Sequence, residues 1–142
     1  MLYTDCLKAG TLFKKGSGGG CFLSRRNWKP RYFCLTSQSL AYYEHQDGRQ
    51  KGHVDLSTCV ESDLEIMPLD CMKTGRSAAT NWRLAIKTPK RRLVIATATE
   101  KEMNEWAAAI YSVLRDNELR AAKLKSCIVL RAMSHRQDVQ LR

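Results

Sequence analysis

The segment at residues 28–35, Trp-Lys-Pro-Arg-Tyr-Phe-Cys-Leu, constrains the fold more than any other part of the chain. Its alternation predicts a β-strand, in which successive side chains point to opposite faces. Lys29 and Arg31 therefore share a face with Phe33 and Leu35, so that one face begins cationic and ends apolar. Charges that point toward a core are costly unless an anion meets them or they lie at an open rim. Two interpretations remain open: the polar mouth of a β-barrel that holds an anionic ligand, or an edge strand with solvated charges.

The positive charge of the chain is concentrated at its two ends. The formal net charge is +10 over 142 residues. Residues 1–31 carry seven Lys or Arg against one acid, residues 32–114 carry ten of each, and residues 115–142 carry seven against three. Basic ends favour anionic partners, either membrane headgroups or nucleic acid, and charge alone does not choose between them.

Six cysteines are present, without a Cys-x-x-Cys pair or a companion histidine spacing that would indicate a metal site. The amino-terminal sequence has no apolar run of the length found in signal peptides. We therefore expect reduced thiols and a cytoplasmic protein. The longest strongly apolar stretch, residues 93–98, is too short to cross a bilayer.

Seven short segments have strand character, and turns of Gly, Pro or Asp separate most of them. They comprise residues 10–15, 28–35, 39–44, 52–56, 63–67, 82–87 and 92–97. Residues 16–20 are predicted to form a glycine-rich loop after the first strand, and Pro89-Lys90-Arg91 a tight basic turn between the last two. Many short strands in this order predict a barrel or a sandwich.

The period changes after the last strand. Thr99 and Glu102 have the spacing of a helix capping box. Apolar residues then recur at helical spacing over residues 100–114, namely Met103, Trp106, Ala107, Ile110, Val113 and Leu114. This stripe predicts an amphipathic helix that covers the open end of the strands. Residues 126–142 include the apolar run Cys127-Ile128-Val129-Leu130, which either packs back or belongs to a partner or to a longer parent protein.

The order of these pieces resembles the pleckstrin homology (PH) family over residues 7–115. The matching segments are residues 10–15, 28–35, 40–44 and 51–56, with Trp106 in the place of the family's characteristic helix tryptophan. The resemblance implies a mainly β fold, a seven-stranded barrel or orthogonal sandwich that is capped by one C-terminal helix. We expect a PH-like domain at 7–115 and a basic, helical or disordered extension at 116–142.

The resemblance also implies a ligand site between the first strands, at the end opposite the helix. Family members that bind phosphoinositide headgroups have a basic residue late in strand one and a basic-x-Arg pattern in strand two. The corresponding residues of this chain, with two further phosphate contacts that the family implies, are Lys14, Lys29, Arg31, Tyr42 and Lys51. Pro30 departs from the pattern, because binders often carry another basic residue there.

The first loop adds a hypothesis about membrane contact. Phe22 and Leu23 lie beside Arg25 and Arg26, so this tip could insert into a membrane interface. Alternatively, the two apolar residues pack inside the loop.

These observations predict a membrane-targeting or adaptor module that binds anionic phosphoinositides and lies peripherally on membranes. The alternative is a platform for protein interaction with weak or absent lipid specificity, with a protein partner at the C-terminal extension. Nucleic-acid binding would use aromatic residues on a basic face, and we do not expect it. The three histidines are scattered away from any nucleophile or paired acid, so we expect no enzyme, no cofactor and no metal.

Overall fold

The computed structural model describes residues 5–16, 28–71 and 79–140. They form seven strands, two short 3-10 helices and one long α-helix. The strands are β1 (Lys8–Lys15), β2 (Trp28–Leu35), β3 (Ser39–Tyr43), β4 (Gln50–Asp55), β5 (Leu64–Ile66), β6 (Arg83–Lys87) and β7 (Arg92–Ala96). The 3-10 helices are Glu61–Asp63 and Leu69–Cys71, and α1 is Glu100–Gln140.

The strands form one antiparallel sheet in the order β4-β3-β2-β1-β7-β6-β5. β1 pairs with β2 along its whole length and with β7 near its end, which lets the sheet fold over on itself. Strands β4 and β5 lie at opposite edges of the described sheet, which is therefore not closed into a barrel. All seven predicted strands are confirmed, and a sandwich is the arrangement that they adopt.

Alternation along the strands builds the core. Leu12 of β1 and both Phe33 and Leu35 of β2 are buried. The predicted stripe of α1 closes one end of the sandwich, where Trp106 is only 1% exposed and packs beside Gly10. Thr99 caps the helix, since its Oγ1 accepts a hydrogen bond from the Glu102 backbone N–H at 3.2 Å. The predicted position of Trp106 in the core is confirmed.

The helix is much longer than the predicted residues 100–114, because it continues without a break to Gln140. Its last buried residue is Asn117, whose Nδ2 donates a hydrogen bond to the Leu56 carbonyl at 3.2 Å. Every side chain from residue 118 to residue 140 is exposed, so the described extension does not pack back on the sandwich. Among the described residues, no helix is long and apolar enough to cross a membrane.

The prediction that all cysteines are free thiols is wrong for one pair. A disulfide joins Cys6 to Cys34, with their Cα atoms 5.8 Å apart. Strand pairing brings them together, since Leu7 donates its backbone N–H to the Leu35 carbonyl at 2.7 Å. Cys59, Cys71 and Cys127 are free thiols, and Cys21 lies outside the described residues.

Candidate ligand-binding site

Three of the predicted cations lie on one face of two neighbouring strands. Lys14 pairs directly with Lys29, and Leu12 pairs with Arg31. Directly paired residues of antiparallel strands point to the same face, and here Leu12 is fully buried. The inner face of the sandwich therefore changes from apolar to cationic toward one end. Because Lys29 is exposed and both Lys14 and Arg31 are partly buried, this end is an open, basic mouth.

Lys14 is the most constrained of these cations. Its Nζ lies 5.0 Å from the centroid of the Tyr42 ring and donates a hydrogen bond to the Lys15 carbonyl at 3.2 Å. Partial burial lowers the pKa of Lys14, the nearby Tyr42 opposes that change, and the positive charges of Arg91 and Arg31 lower the pKa further. A bound anion would stabilise the charged form of Lys14 and so oppose the lowering of its pKa by burial and by the two arginines.

Tyr42 is buried, with 7% of its surface exposed, and contacts two cations. Lys14 lies over its ring, and Arg91 donates a hydrogen bond from Nη2 to the Tyr42 hydroxyl at 3.1 Å. A second, longer bond joins Arg91 Nη2 to the His53 carbonyl at 3.4 Å. The resemblance implied that Tyr42 contacts phosphate, whereas its hydroxyl here accepts a hydrogen bond from Arg91.

Arg91 is the site residue that the sequence analysis did not select. It belongs to the basic turn at residues 88–91, where the Thr88 backbone N–H donates to the Arg91 carbonyl at 2.9 Å. The turn was recognised in the sequence as basic, but its contact with Tyr42 spans 49 residues of chain. Only the fold brings this turn to the mouth that β1 and β2 form.

Arg31 and Lys51 lie at the rim of the mouth, and the predicted membrane contacts lie outside the described residues. Arg31 donates from Nη1 to the Pro30 carbonyl at 2.8 Å and so remains at the rim. Lys51 is exposed at a bulge of β4, where the pairing passes from Tyr42 opposite Gly52 to Tyr43 opposite Gln50. The proposed membrane contacts lie outside the described residues, namely Phe22, Leu23, Arg25 and Arg26.

Gly52 is required beside this site. A β-carbon at Gly52 would overlap the hydroxyl and ring of Tyr42, which lies directly opposite on β3. Any larger residue would therefore push Tyr42 away from its contacts with Lys14 and Arg91. The glycine thus fixes the aromatic ring on which the two cations rest.

Within the described residues, no carboxylate forms an ion pair with Lys14, Lys29, Arg31 or Arg91. The next residue along the chain, Arg92, is the opposite case. Arg92 donates from Nε to Glu65 at 2.8 Å and also pairs with Asp70, and the Asp70 hydrogen bond, with a smaller contribution from Glu65, raises its pKa. The mouth is therefore basic and lacks a counter-charge, while the adjacent arginine is neutralised by the chain itself.

No group of three or more histidine, cysteine or acidic side chains in the described part of the chain has the arrangement of a metal site.

A family model for the PH domain matches residues 6–115. The chain belongs to the PH domain family. PH domains are modules for membrane targeting or for protein interaction, and the family is generally non-catalytic.

Mouse proteins are among the relatives of this PH domain. The chain is 31% identical over 116 residues to switch-associated protein 70 and 29% identical over 117 residues to "differentially expressed in FDCP 6". Each match covers 80% of this chain, but only 17% and 16% of those proteins. The chain thus spans a small part of the relatives that it matches.

Solved structures of pleckstrin have the same fold as this PH domain. The C-terminal PH domain of human pleckstrin is 28% identical, with a TM-score of 0.58, and the match covers 76% of this chain and 86% of that one. A crystal structure of the C-terminal PH domain of pleckstrin in complex with D-myo-Ins(1,2,3,4,5)P5 is 27% identical, with a TM-score of 0.55. That match covers 78% of this chain and 99% of the other.

Proposed function

We propose that this PH domain binds the phosphorylated inositol headgroup of membrane phosphoinositides in the basic mouth. The observation that carries the proposal is the convergence of Lys14, Lys29, Arg31 and Arg91 on one end of the sandwich without a carboxylate partner. Four cations held together are electrostatically unfavourable in the free protein, and a multiply charged anion removes that cost.

Each cation has a distinct part in this proposal. Arg31 and Arg91 present planar guanidinium groups, which suit two-point hydrogen bonding to phosphate oxygens. Lys14 and Lys29 add point charges from directly opposite positions of β1 and β2. Tyr42 acts indirectly, because its ring and hydroxyl hold Lys14 and Arg91 in place. Lys51 is a peripheral contact at the rim.

The complex of pleckstrin with an inositol pentakisphosphate supports this ligand chemistry, since that domain shares the fold over 78% of this chain. We assign headgroup binding to residues 7–115 and treat residues 116–142 as a basic extension. The domain would lie peripherally on the cytoplasmic leaflet, where anionic lipids are concentrated. In the proposal, Phe22, Leu23, Arg25 and Arg26 contact the interface around the headgroup.

Vesicle sedimentation tests the proposal directly. Phosphatidylcholine vesicles would carry either a few per cent of one phosphoinositide or enough phosphatidylserine to match its charge. We expect tighter binding to a phosphoinositide, and a further arm with soluble inositol phosphate should compete with it. Direct binding of the soluble inositol phosphate without any vesicle binding would identify a free inositol phosphate as the ligand in place of the lipid.

Arg31→Ala is the first variant, and Arg120→Ala is its control. Loss of one charge-assisted contact in the mouth should weaken phosphoinositide binding by about 1.5–3 kcal/mol, roughly 10- to 100-fold. Arg120 lies on the exposed part of α1, so its loss should cost no more than about 1 kcal/mol. Equal losses in the two variants, with no headgroup preference, would exclude a specific site and leave a platform for protein interaction.

A further inference from the structure

The exposed part of α1, residues 118–140, carries apolar side chains that the PH domain does not use. Seven large apolar residues in this segment are at least half exposed: Leu119, Leu124, Ile128, Val129, Leu130, Met133 and Val139. A helix that remains apolar without packing is typical of a segment that docks on another surface. The family match ends at residue 115, so the fold of the domain gives no reason for these residues.

The distribution of the apolar residues around the helix restricts what can cover them. Successive helical residues are about 100° apart, so the consecutive Ile128, Val129 and Leu130 together span roughly 200° of the circumference. They are 59%, 56% and 66% exposed. Leu124 lies near Ile128 on one side, and Met133 lies near Val129 on another, roughly 140° away. The segment therefore has two apolar sides.

Basic residues occupy the two strips between these sides. Arg120, Lys123 and Arg131 follow one strip, and Lys125 and Arg136 follow the other. Residues 118–140 contain five Lys or Arg against two acids. A partner that contacts both apolar sides must also face cations along both boundaries, and acidic residues at its rim would satisfy them.

Two simpler partners fit this pattern poorly. A helix that lies on a membrane has one apolar face, whereas here cations divide the apolar surface. A coiled coil with a second copy needs a sustained seven-residue repeat. The stripe through Leu124 and Ile128 continues into Arg131 and His135, and the stripe through Val129 and Met133 continues into Arg136 and Gln140. Neither stripe is sustained.

We propose that residues 119–139 of α1 are a docking helix for an acidic Ca²⁺ sensor of the EF-hand class. In such sensors, bound Ca²⁺ opens a methionine-lined apolar groove, and two such lobes close around a basic helix. One lobe takes Leu124 and Ile128, the other takes Val129 and Met133, and acidic rims meet the two basic strips. The complex makes membrane docking and Ca²⁺ signalling independent inputs to one chain.

Binding of the full chain to Ca²⁺-loaded calmodulin, used as the probe, tests this proposal. Isothermal titration at near-physiological salt should give a one-to-one complex with a Kd of about 1 μM or below, and a Ca²⁺ chelator should abolish it. Ile128→Asp and Met133→Asp should each weaken binding by about 30-fold or more, because each buries an unpaired charge in an apolar groove. The matched control is Ser112→Asp, which adds the same charge at an exposed position of α1 before the docking segment and should change the Kd by less than about threefold.

Three results would overturn the proposal: no complex at about 100 μM probe, a complex that forms equally without Ca²⁺, or equal losses in Met133→Asp and Ser112→Asp. Sedimentation velocity tests for self-association, and sedimentation with anionic vesicles tests for membrane binding by the helix. Self-association that Ile128→Asp removes would assign the helix to a second copy, and vesicle binding that it removes would assign the helix to a membrane. Because all three residues are exposed, the helical signal and unfolding midpoint of the variants should match the parent.

Discussion

Both ends of β1 place a lysine over an aromatic ring, but only one end also supplies a counter-charge. At the end that α1 caps, Lys8 lies 5.3 Å from the centroid of Trp106 and 3.8 Å from a carboxylate oxygen of Glu105. At the open end, Lys14 lies over Tyr42 and is surrounded by further cations. A lysine over an aromatic ring thus stabilises the fold at one end, and in our proposal the same arrangement binds an anion at the other.

The largest effect should come from the capped end. Trp106→Ala empties the site of a fully buried aromatic side chain, and we expect it to lower the free energy of unfolding by about 3–5 kcal/mol. Chemical denaturation measures the change. A variant that unfolds at the parent's midpoint would show that the packing of Trp106 contributes little to stability. The capped end would then not be the stabilising end of the domain.

Arg91→Ala should have the next largest effect, on phosphoinositide binding. Phosphoinositide binding should weaken by about 1.5–3 kcal/mol, because a charge-assisted contact is lost and Tyr42 loses its hydrogen-bond donor. Vesicle sedimentation gives the loss, and Lys90→Ala is the control, since that exposed neighbour lies in the same turn. Equal losses in the two variants would place the binding energy in the charge of the turn and remove Arg91 from the site.

Paired lysine variants compare the two ends directly. Lys14→Met loses a cation–π contact with Tyr42. It also removes a partly buried charge that lies opposite Lys29 and is repelled by Arg91 and Arg31, and we expect a net gain in stability of about 0.5–1 kcal/mol. Lys8→Met removes an ion pair and a cation–π contact, and we expect a loss of about 0.5–1 kcal/mol. Thermal unfolding of both variants gives the two signs, and changes of the same sign would contradict the comparison.

The smallest effect is a dependence of binding on pH. Burial first, and then the charges of Arg91 and Arg31, lower the pKa of Lys14, so the free domain loses this charge at a lower pH than an ordinary lysine would. Affinity for a phosphoinositide should therefore fall, as pH rises, before the pH at which an ordinary lysine loses its charge. Lys14→Arg, which remains charged throughout, should bind with a flatter profile than the parent. Parallel profiles would mean that Lys14 does not contact the ligand.

The strands and the capped core followed from sequence because their signals are local. The alternation of Lys29, Arg31, Phe33 and Leu35 already separates a cationic half from an apolar half of one face, and β2 has this arrangement. The stripe that includes Trp106 has the 3.6-residue period of a helix and needed no knowledge of its partner.

Contacts between distant segments were not predictable in the same way. Arg91 reaches Tyr42 only because β6 and β7 fold across the sheet, and Cys6 meets Cys34 only through the register of β1 with β2. The full length of α1 could not be predicted from apolar periodicity, because the helical residues after Asn117 have no buried stripe. Helix-favouring composition permits that continuation but does not require it.

The unbroken helix sets a distance. From Asn117, the last residue that the sandwich holds, to Gln140 is 23 residues, or about 34 Å at 1.5 Å per residue. Met133 stands about 24 Å beyond Asn117 on the same axis. One continuous helix supplies Trp106 to the core and extends as the exposed residues 118–140. A force on its far end therefore acts on the core. A partner bound to this exposed part of α1 is therefore held at a set distance from the sandwich and in a set orientation.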